Sequence, residues 1–324
     1  MKTIIVDTLG NDRGSEVIIS AIKDFKMENP NINIIAVGDK KTNDALKNIC
    51  EVVYAPDVIS MEAGPIETMR MTNSSLYAAV DLLSKHRGDA LVSCGSNGGL
   101  VTISMSLLGL VEGIIKPAFV VQLPSIVKKK RTLLLDIGAN NQNSPEELAQ
   151  FAYMGEVYSK CVLGNQNPRI YLLSDGREEG KGSPVNKHAY ILLKNNPHFC
   201  GNIEAKEVLN GEADVVVCDG FSGNILLKSI EGTTKLFRTL IAEAFNKNEK
   251  TRAAYGQMRE EIESINALMD YKTAGGAMLL GVNGIAVMAH GNASSFTFKN
   301  AIYLALNLVN DEIDKKILGG LKNE

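Results

Sequence analysis

Ala213-Asp214-Val215-Val216-Val217-Cys218-Asp219-Gly220-Phe221-Ser222-Gly223-Asn224-Ile225-Leu226-Leu227-Lys228 is the stretch that most limits what this chain can fold into. Its unbroken β-branched run fits a strand buried on both faces of a parallel sheet. The run then breaks into Asp, two glycines, Ser and Asn, and resumes with Ile225, Leu226 and Leu227 entering a helix. A strand, turn and helix joined in this way present free backbone N–H groups and the positive end of a helix dipole. The stretch predicts an anion or oxyanion site around Ser222, Gly223 and Asn224. A purely structural turn fits the same residues.

Two further junctions have the same form. A strand over 89–93 ends in Cys94-Gly95-Ser96-Asn97-Gly98-Gly99 before a helix over 100–108. Another, Leu133 to Asp136, ends in Ile137-Gly138-Ala139-Asn140-Asn141, and Ser144-Pro145-Glu146-Glu147 then fits a capping box with proline at the first helical position. The three junctions predict helix amino termini gathered at one sheet edge, the usual ligand crevice of α/β proteins.

The amino-terminal third alternates strand and helix: strands near 1–7, 31–37 and 51–54 with helices between them, a βαβαβ rhythm. A single helix is expected from 67 to 85, carrying Arg70, Ser74 and Ser75. No GxGxxG follows the first strand, which argues against a dinucleotide fold. A strand over 169–173 leads to the loop Ser174 to Gly182. Its Gly-Lys pair misses P-loop spacing, so the loop reads as one presenting Lys181 to an anion.

From Ser222 to about Leu268 the pattern is helical. Phe237, Leu240, Ile241, Ala244 and Phe245 make one apolar stripe, and Met258, Ile262, Ile265 and Met269 make a second. Such stripes predict a helical hairpin over 233–269, or a dimer interface. Residues 277–280 and 285–289, joined by Gly281-Val282-Asn283-Gly284, read as a β-hairpin before a closing helix with Phe298 and Ile302 on its apolar face.

The 324 residues, 45% hydrophobic and 22% charged, suit one globular α/β domain over 1–324. A net charge of −3, with no basic stripe interleaved with aromatics, argues against nucleic acid as a partner. The run Lys128-Lys129-Lys130-Arg131 reads as a solvated loop. Five scattered cysteines without CxxC indicate neither a disulfide framework nor a zinc site. Cys94 sits where a helix dipole would activate a thiol, but no His or acid is placed beside it, so a half-buried thiol is the better reading. His290 is the most suggestive histidine, between a strand and a Gly/Ser turn. No set of ligands has metal spacing, and neither metal nor cofactor is expected. The uncharged segments 90–111 and 273–298 are broken by Gly, Ser and Asn and read as buried sheet and turn, so a cytoplasmic protein is expected. What remains is a set of backbone donors, Asn, Ser, Lys181 and Arg70. That set suits phosphate binding and oxyanion stabilisation without a protein nucleophile.

The motifs Val6-Asp7-Thr8-Leu9-Gly10-Asn11-Asp12, Gln150-Phe151-Ala152-Tyr153-Met154-Gly155, Asn167-Pro168-Arg169, Gly201-Asn202-Ile203-Glu204, Asp219-Gly220-Phe221-Ser222-Gly223-Asn224, Gly275-Gly276-Ala277 and His290-Gly291 occur in this order across nearly the whole chain. Together they resemble the bacterial phosphate acyltransferases of the PlsX type. The resemblance implies reversible transfer of a long-chain acyl group from acyl carrier protein to inorganic phosphate. The acyl phosphate would then feed a membrane glycerol-3-phosphate acyltransferase of the PlsY type. It implies a three-layer α/β/α sandwich with a mainly parallel sheet, of the isocitrate-dehydrogenase and phosphotransacetylase type, with a protruding helical hairpin.

A homodimer, and peripheral membrane contact through roughly 245–269, are also implied by the resemblance. By the same resemblance Lys181 neutralises phosphate and developing charge, and Asn224 polarises the thioester carbonyl. Arg70, Ser96, Asn97, Asn140 and His290, with Ser222 and Gly223, position phosphate or acyl group. The chain departs from the family pattern at Leu9-Gly10-Asn11-Asp12, at Met71 and Thr72 where lysines are usual, and in the order of Ser96 and Asn97. Two alternatives stay open: a short-chain acyl-coenzyme A phosphotransacylase, and a catalytically weakened membrane scaffold.

Overall fold

The computed structural model describes residues 1–127, 130–269, 275–313 and 315–317, without the side chains of 267–269. In chain order the elements are β1 (Thr3–Asp7), α1 (Glu16–Glu28), β2 (Asn33–Gly38), α2 (Lys40–Leu46), β3 (Glu51–Tyr54), α3 (Pro65–Arg70), α4 (Ser75–Ser84) and β4 (Ala90–Ser93). There follow α5 (Asn97–Leu107), β5 (Ala118–Pro124), β6 (Arg131–Leu135), α6 (Pro145–Val162), β7 (Ile170–Ser174), α7 (Pro184–Leu193), β8 (Phe199–Glu204) and β9 (Val215–Val217). The last are α8 (Gly220–Asn246), α9 (Glu249–Gln257), α10 (Arg259–Met269), β10 (Ala277–Leu280), β11 (Ile285–Met288) and α11 (Ser295–Asn310).

The described strands form one sheet in the order β3-β2-β1-β4-β11-β10-β5-β6-β9-β7-β8. Strand side chains alternate between faces, and the core divides accordingly. Ile4 and Val6 face a layer holding Phe25 of α1, Phe151 and Tyr158 of α6, Leu193 of α7 and Phe298 of α11. On the opposite face Ile5 and Leu91 meet Leu76 of α4 and Leu100 of α5, while Leu134 and Val216 meet Leu226, Leu227 and Ile230 of α8. The result is the expected α/β/α sandwich.

The strand directions carry a correction. β3, β2, β1, β4 and β11 run parallel, as do β6, β9, β7 and β8. Between these sets lie three antiparallel pairings, β11 with β10, β10 with β5, and β5 with β6. An odd number of reversals puts the carboxyl ends of β4 and β9 at opposite edges. The three strand–turn–helix junctions therefore do not share one edge.

Other differences are local. The helix expected over 67–85 is broken between α3 and α4, because the Ser74 side chain accepts the Tyr77 N–H and caps a new helix. The Ser144 capping box of α6 forms as expected. β10 and β11 make the expected hairpin, with Ala277 opposite Met288. β5, which lies mid-sheet, β8 and α7 had no place in the sequence reading. The hairpin region begins in α8, and Phe245 meets Tyr255 of α9 with ring centroids 5.3 Å apart. Leu236, Phe237, Leu240 and Ile241 of α8 are exposed. In the basic run, Lys130 pairs with Asp214 at 2.7 Å, while Lys128 and Lys129 lie outside the described residues, as does the side chain of Met269.

The start of α8 is seated on the loop after β6. A Cβ on Gly223 would lie 1.8 Å from the Asp136 carbonyl oxygen, and one on Gly220 would lie 2.1 Å from the Asn140 carbonyl oxygen. Neither neighbour is a movable side-chain tip. Gly223→Ala is expected to destabilise the fold by ~3 kcal/mol or more, read as a lowered urea midpoint with an unchanged slope.

Candidate active site

A cavity of about 410 Å³ lies between α5 and α8, on the sheet face that both cover. Its floor is apolar: Phe119 and Val121 of β5 and Ala277 of β10, with Ile137 from the loop after β6. One wall is the start of α5. There the buried Ser96 side chain accepts the Gly99 N–H at 3.1 Å. The N–H groups of Asn97 and Gly98, at the first two helical positions, have no partner within the helix. Both residues line the cavity and are exposed to it.

The turn into α5 is held from behind. The Ser93 hydroxyl donates to Asp7 Oδ2 at 2.7 Å and accepts the Gly95 N–H at 3.0 Å. Asp7 is 1% exposed, and burial pushes its pKa up to about 6, opposed by hydrogen bonds from Ser75, Ser93 and Leu9. Nothing in the sequence reading gave Asp7 a role. The signal for it is an acid closing a strand whose other core positions are apolar.

The second wall is one face of α8: Asn224, Leu227, Lys228 and Glu231. Their spacing of three and four residues stacks them along the helix. Asn224 is seated against Gly138, whose φ of +124° suits glycine and whose absent Cβ would lie 3.6 Å from Asn224 Cβ. Seven residues on, at a rise of about 1.5 Å each, Glu231 Oε2 lies 3.9 Å from Nε2 of His290, in the turn after β11. His290 Nδ1 accepts the Asn292 N–H at 3.2 Å, which leaves Nε2 to carry the proton of the neutral ring. The cavity thus runs along α8, from the edge where β6 and β9 end to the edge where β4 and β11 end.

No thiol here is prepared for attack. Burial pushes Cys94 up to about 12, and Cys218, fully buried, is also raised well above the usual thiol range. A thiolate is the reactive form of cysteine, and neither of these two thiols lines the cavity.

The family model described as "Fatty acid synthesis protein" matches residues 2–316. A phosphate acyltransferase from a Nitratiruptor species is 36% identical over 322 residues, covering 98% of this chain and 97% of the relative. One from Campylobacter concisus is 38% identical over 323 residues, with the same coverage. The chain belongs to the phosphate acyltransferase family. Its fold is shared by a phosphotransacetylase from Streptococcus pyogenes, with a TM-score of 0.64 at 17% identity over 95% of this chain and 94% of the other.

Of the residues that the sequence motifs single out, the cavity brings together Ser96, Asn97, Asn224 and His290. The others lie outside its lining. Gly223 is buried against the Asp136 carbonyl. Ser222 is turned back, its N–H and hydroxyl donating to Asp219 at 2.9 and 2.8 Å. Asn140 spends its amide on the Pro117 carbonyl and Asp136, at 2.7 and 2.9 Å. Arg70, at the end of α3, opens onto a separate hollow with Glu67 and Met71. Lys181 is exposed on the loop after β7. The sequence reading missed Lys228 and Glu231, although their offsets of four and seven from Asn224 mark them as neighbours on one helical face.

The raised pKa of Asp7 has a measurable consequence. The folded state holds this proton more tightly than the unfolded chain does, so stability falls as pH rises from about 4 to about 6. Asp7→Asn lacks that dependence. Between pH 4 and 7, urea melts of the two proteins should shift by ~3 kcal/mol in favour of the variant.

Proposed function

We propose that this protein moves a long-chain fatty acyl group from the thioester of acyl carrier protein to inorganic phosphate. The observation that carries this reading is one cavity with an apolar floor and amide-rich walls, in a member of the phosphate acyltransferase family. A phosphate oxygen attacks the thioester carbon, and the carbonyl electron pair moves onto oxygen. Asn224 donates its amide N–H to that oxyanion. As the intermediate collapses, the C–S bond breaks, the sulfur leaves with the electron pair, and the proton left on phosphate passes through solvent to the thiolate. A thioester is already activated, so alignment and oxyanion stabilisation supply most of the catalysis.

Lys181 enters as a cation from the neighbouring loop. β7 lies beside β9 and runs parallel to it, so its loop leaves the sheet at the edge where Asn224 sits. Lys181 offsets charge developing on the thioester oxygen. Ser96, Asn97 and His290 position the substrates from the other wall. Ser222, Gly223 and Asn140 act indirectly, by seating α8 and the loop after β6, and Arg70 belongs to a surface for the carrier protein. The exposed stripe of α8 supports a homodimer, and the hairpin that follows it supports peripheral contact with the inner face of the membrane, where a PlsY-type acyltransferase consumes the product. Among the described residues no helix is long and apolar enough to cross a membrane. The proposed location is the cytoplasm.

Purified protein incubated with palmitoyl carrier protein and phosphate should form acyl phosphate, trapped by hydroxylamine as the hydroxamate. Product from acetyl-coenzyme A but none from the carrier-linked substrate would instead identify a short-chain enzyme. Asn224→Ala should lower kcat about 100-fold, as loss of an oxyanion donor does, with an unchanged melting temperature. Full activity in the variant rules out the oxyanion role.

A further inference from the structure

We propose that Lys228 is the side chain that binds inorganic phosphate in this cavity. The inference rests on the acyl-transfer reading and gives that reaction a residue the sequence motifs did not assign. Lys228 is the one lysine or arginine among the described residues lining the cavity. Arg70 opens onto a different hollow, and Lys181 stands on a loop outside the lining. Lys228 has no ion-pair partner among the described residues. The carboxylate nearest to it in sequence, Glu231, is directed instead to His290. Its charge is therefore available to an incoming anion.

The position along α8 fits the reaction. Lys228 is four residues from Asn224, one turn, or about 6 Å along the axis. A thioester carbonyl held by Asn224 and a phosphate held by Lys228 are then neighbours on one face. The apolar floor runs beneath them for the acyl chain. Across the cavity the N–H groups of Asn97 and Gly98, without partners in their own helix, complement the same anion. A lysine ammonium binds phosphate as a point charge with rotatable donors. In this role Lys228 transfers no proton.

The test separates binding from turnover. Line broadening of the ³¹P signal of inorganic phosphate, titrated at constant ionic strength without acyl donor, is measured for the wild type, Lys228→Met, Lys228→Arg and Lys181→Ala. Lys228→Met should weaken phosphate binding at least tenfold and raise KM for phosphate, with KM for the acyl donor little changed. Lys228→Arg should recover most of the binding. Lys181→Ala should lower kcat and leave phosphate affinity as in the wild type. In the wild type, phosphate should protect Lys228 from acetylation by acetic anhydride, read by peptide mass spectrometry, so the idea does not depend on a variant that folds. Unchanged phosphate affinity in folded Lys228→Met, or no protection of Lys228, overturns the assignment. Phosphate bound through Lys228 by a protein that makes no acyl phosphate would leave the binding site standing and remove the acyl-transfer reading instead.

Discussion

The Asp136 carboxylate is the fixed point around which this molecule's cleft is assembled. It is fully buried, and it accepts N–H groups from Phe119, Gly138, Ala139 and Asn140 together with the Asn140 side-chain amide, at 2.8–3.1 Å. Burial raises its pKa, and these donors work in the opposite direction. One side chain thereby ties the start of β5 to the loop after β6. The backbone of the same residue forms the surface on which Gly223 rests. Remove that arrangement and α8 loses its seat, Asn224 loses Gly138 behind it, and Phe119 is no longer held in the floor.

The central antiparallel strands decide what kind of site this is. In a uniformly parallel sheet the helix amino termini collect at one edge, and a ligand sits above it. Here β10 and β5 separate two parallel sets of opposite direction. The start of α5 and the start of α8 therefore approach from opposite edges, and the space left between them lies over the sheet face. That geometry gives a cleft with polar ends and a greasy base, suited to a molecule with a charged head and a hydrocarbon tail.

Much of this was legible in the residues. The run at Val215 to Val217 and the turn after it named a strand and a helix start without ambiguity, and Asn224 followed from them. Ser96, Asn97 and His290 were legible for the same reason, since each lies next to a strand end. Composition does not say which way a side chain turns. Ser222 and Asn140 are the right types for a site, but each has a nearer partner, Asp219 or Asp136. Arg70 sits on a helix that Ser74 cuts short. Lys228 was passed over because its meaning depends on knowing which face of α8 turns inward. β5 was overlooked although Ala118 to Pro124 is strand-like, and with it went the reversal that shapes the whole cleft.

The segment after β1 touches two parts of the cleft at once. Gly10 packs against Gly95, so closely that a Cβ there would lie 2.7 Å from the Gly95 Cα. Two residues on, the Asp12 N–H donates to the Gly291 carbonyl at 2.8 Å, and the Asn11 amide reaches the Ala293 carbonyl at 3.2 Å. The entry to α5 and the His290 turn are thus tied into one wall of the cleft, while α8 is mounted separately on the Asp136 loop as the other. The width of the cleft is then set by how these two walls seat across β5 and β10. Loss of the Asn11 amide would free the His290 turn from one of its two ties to this segment without altering any residue that lines the cleft.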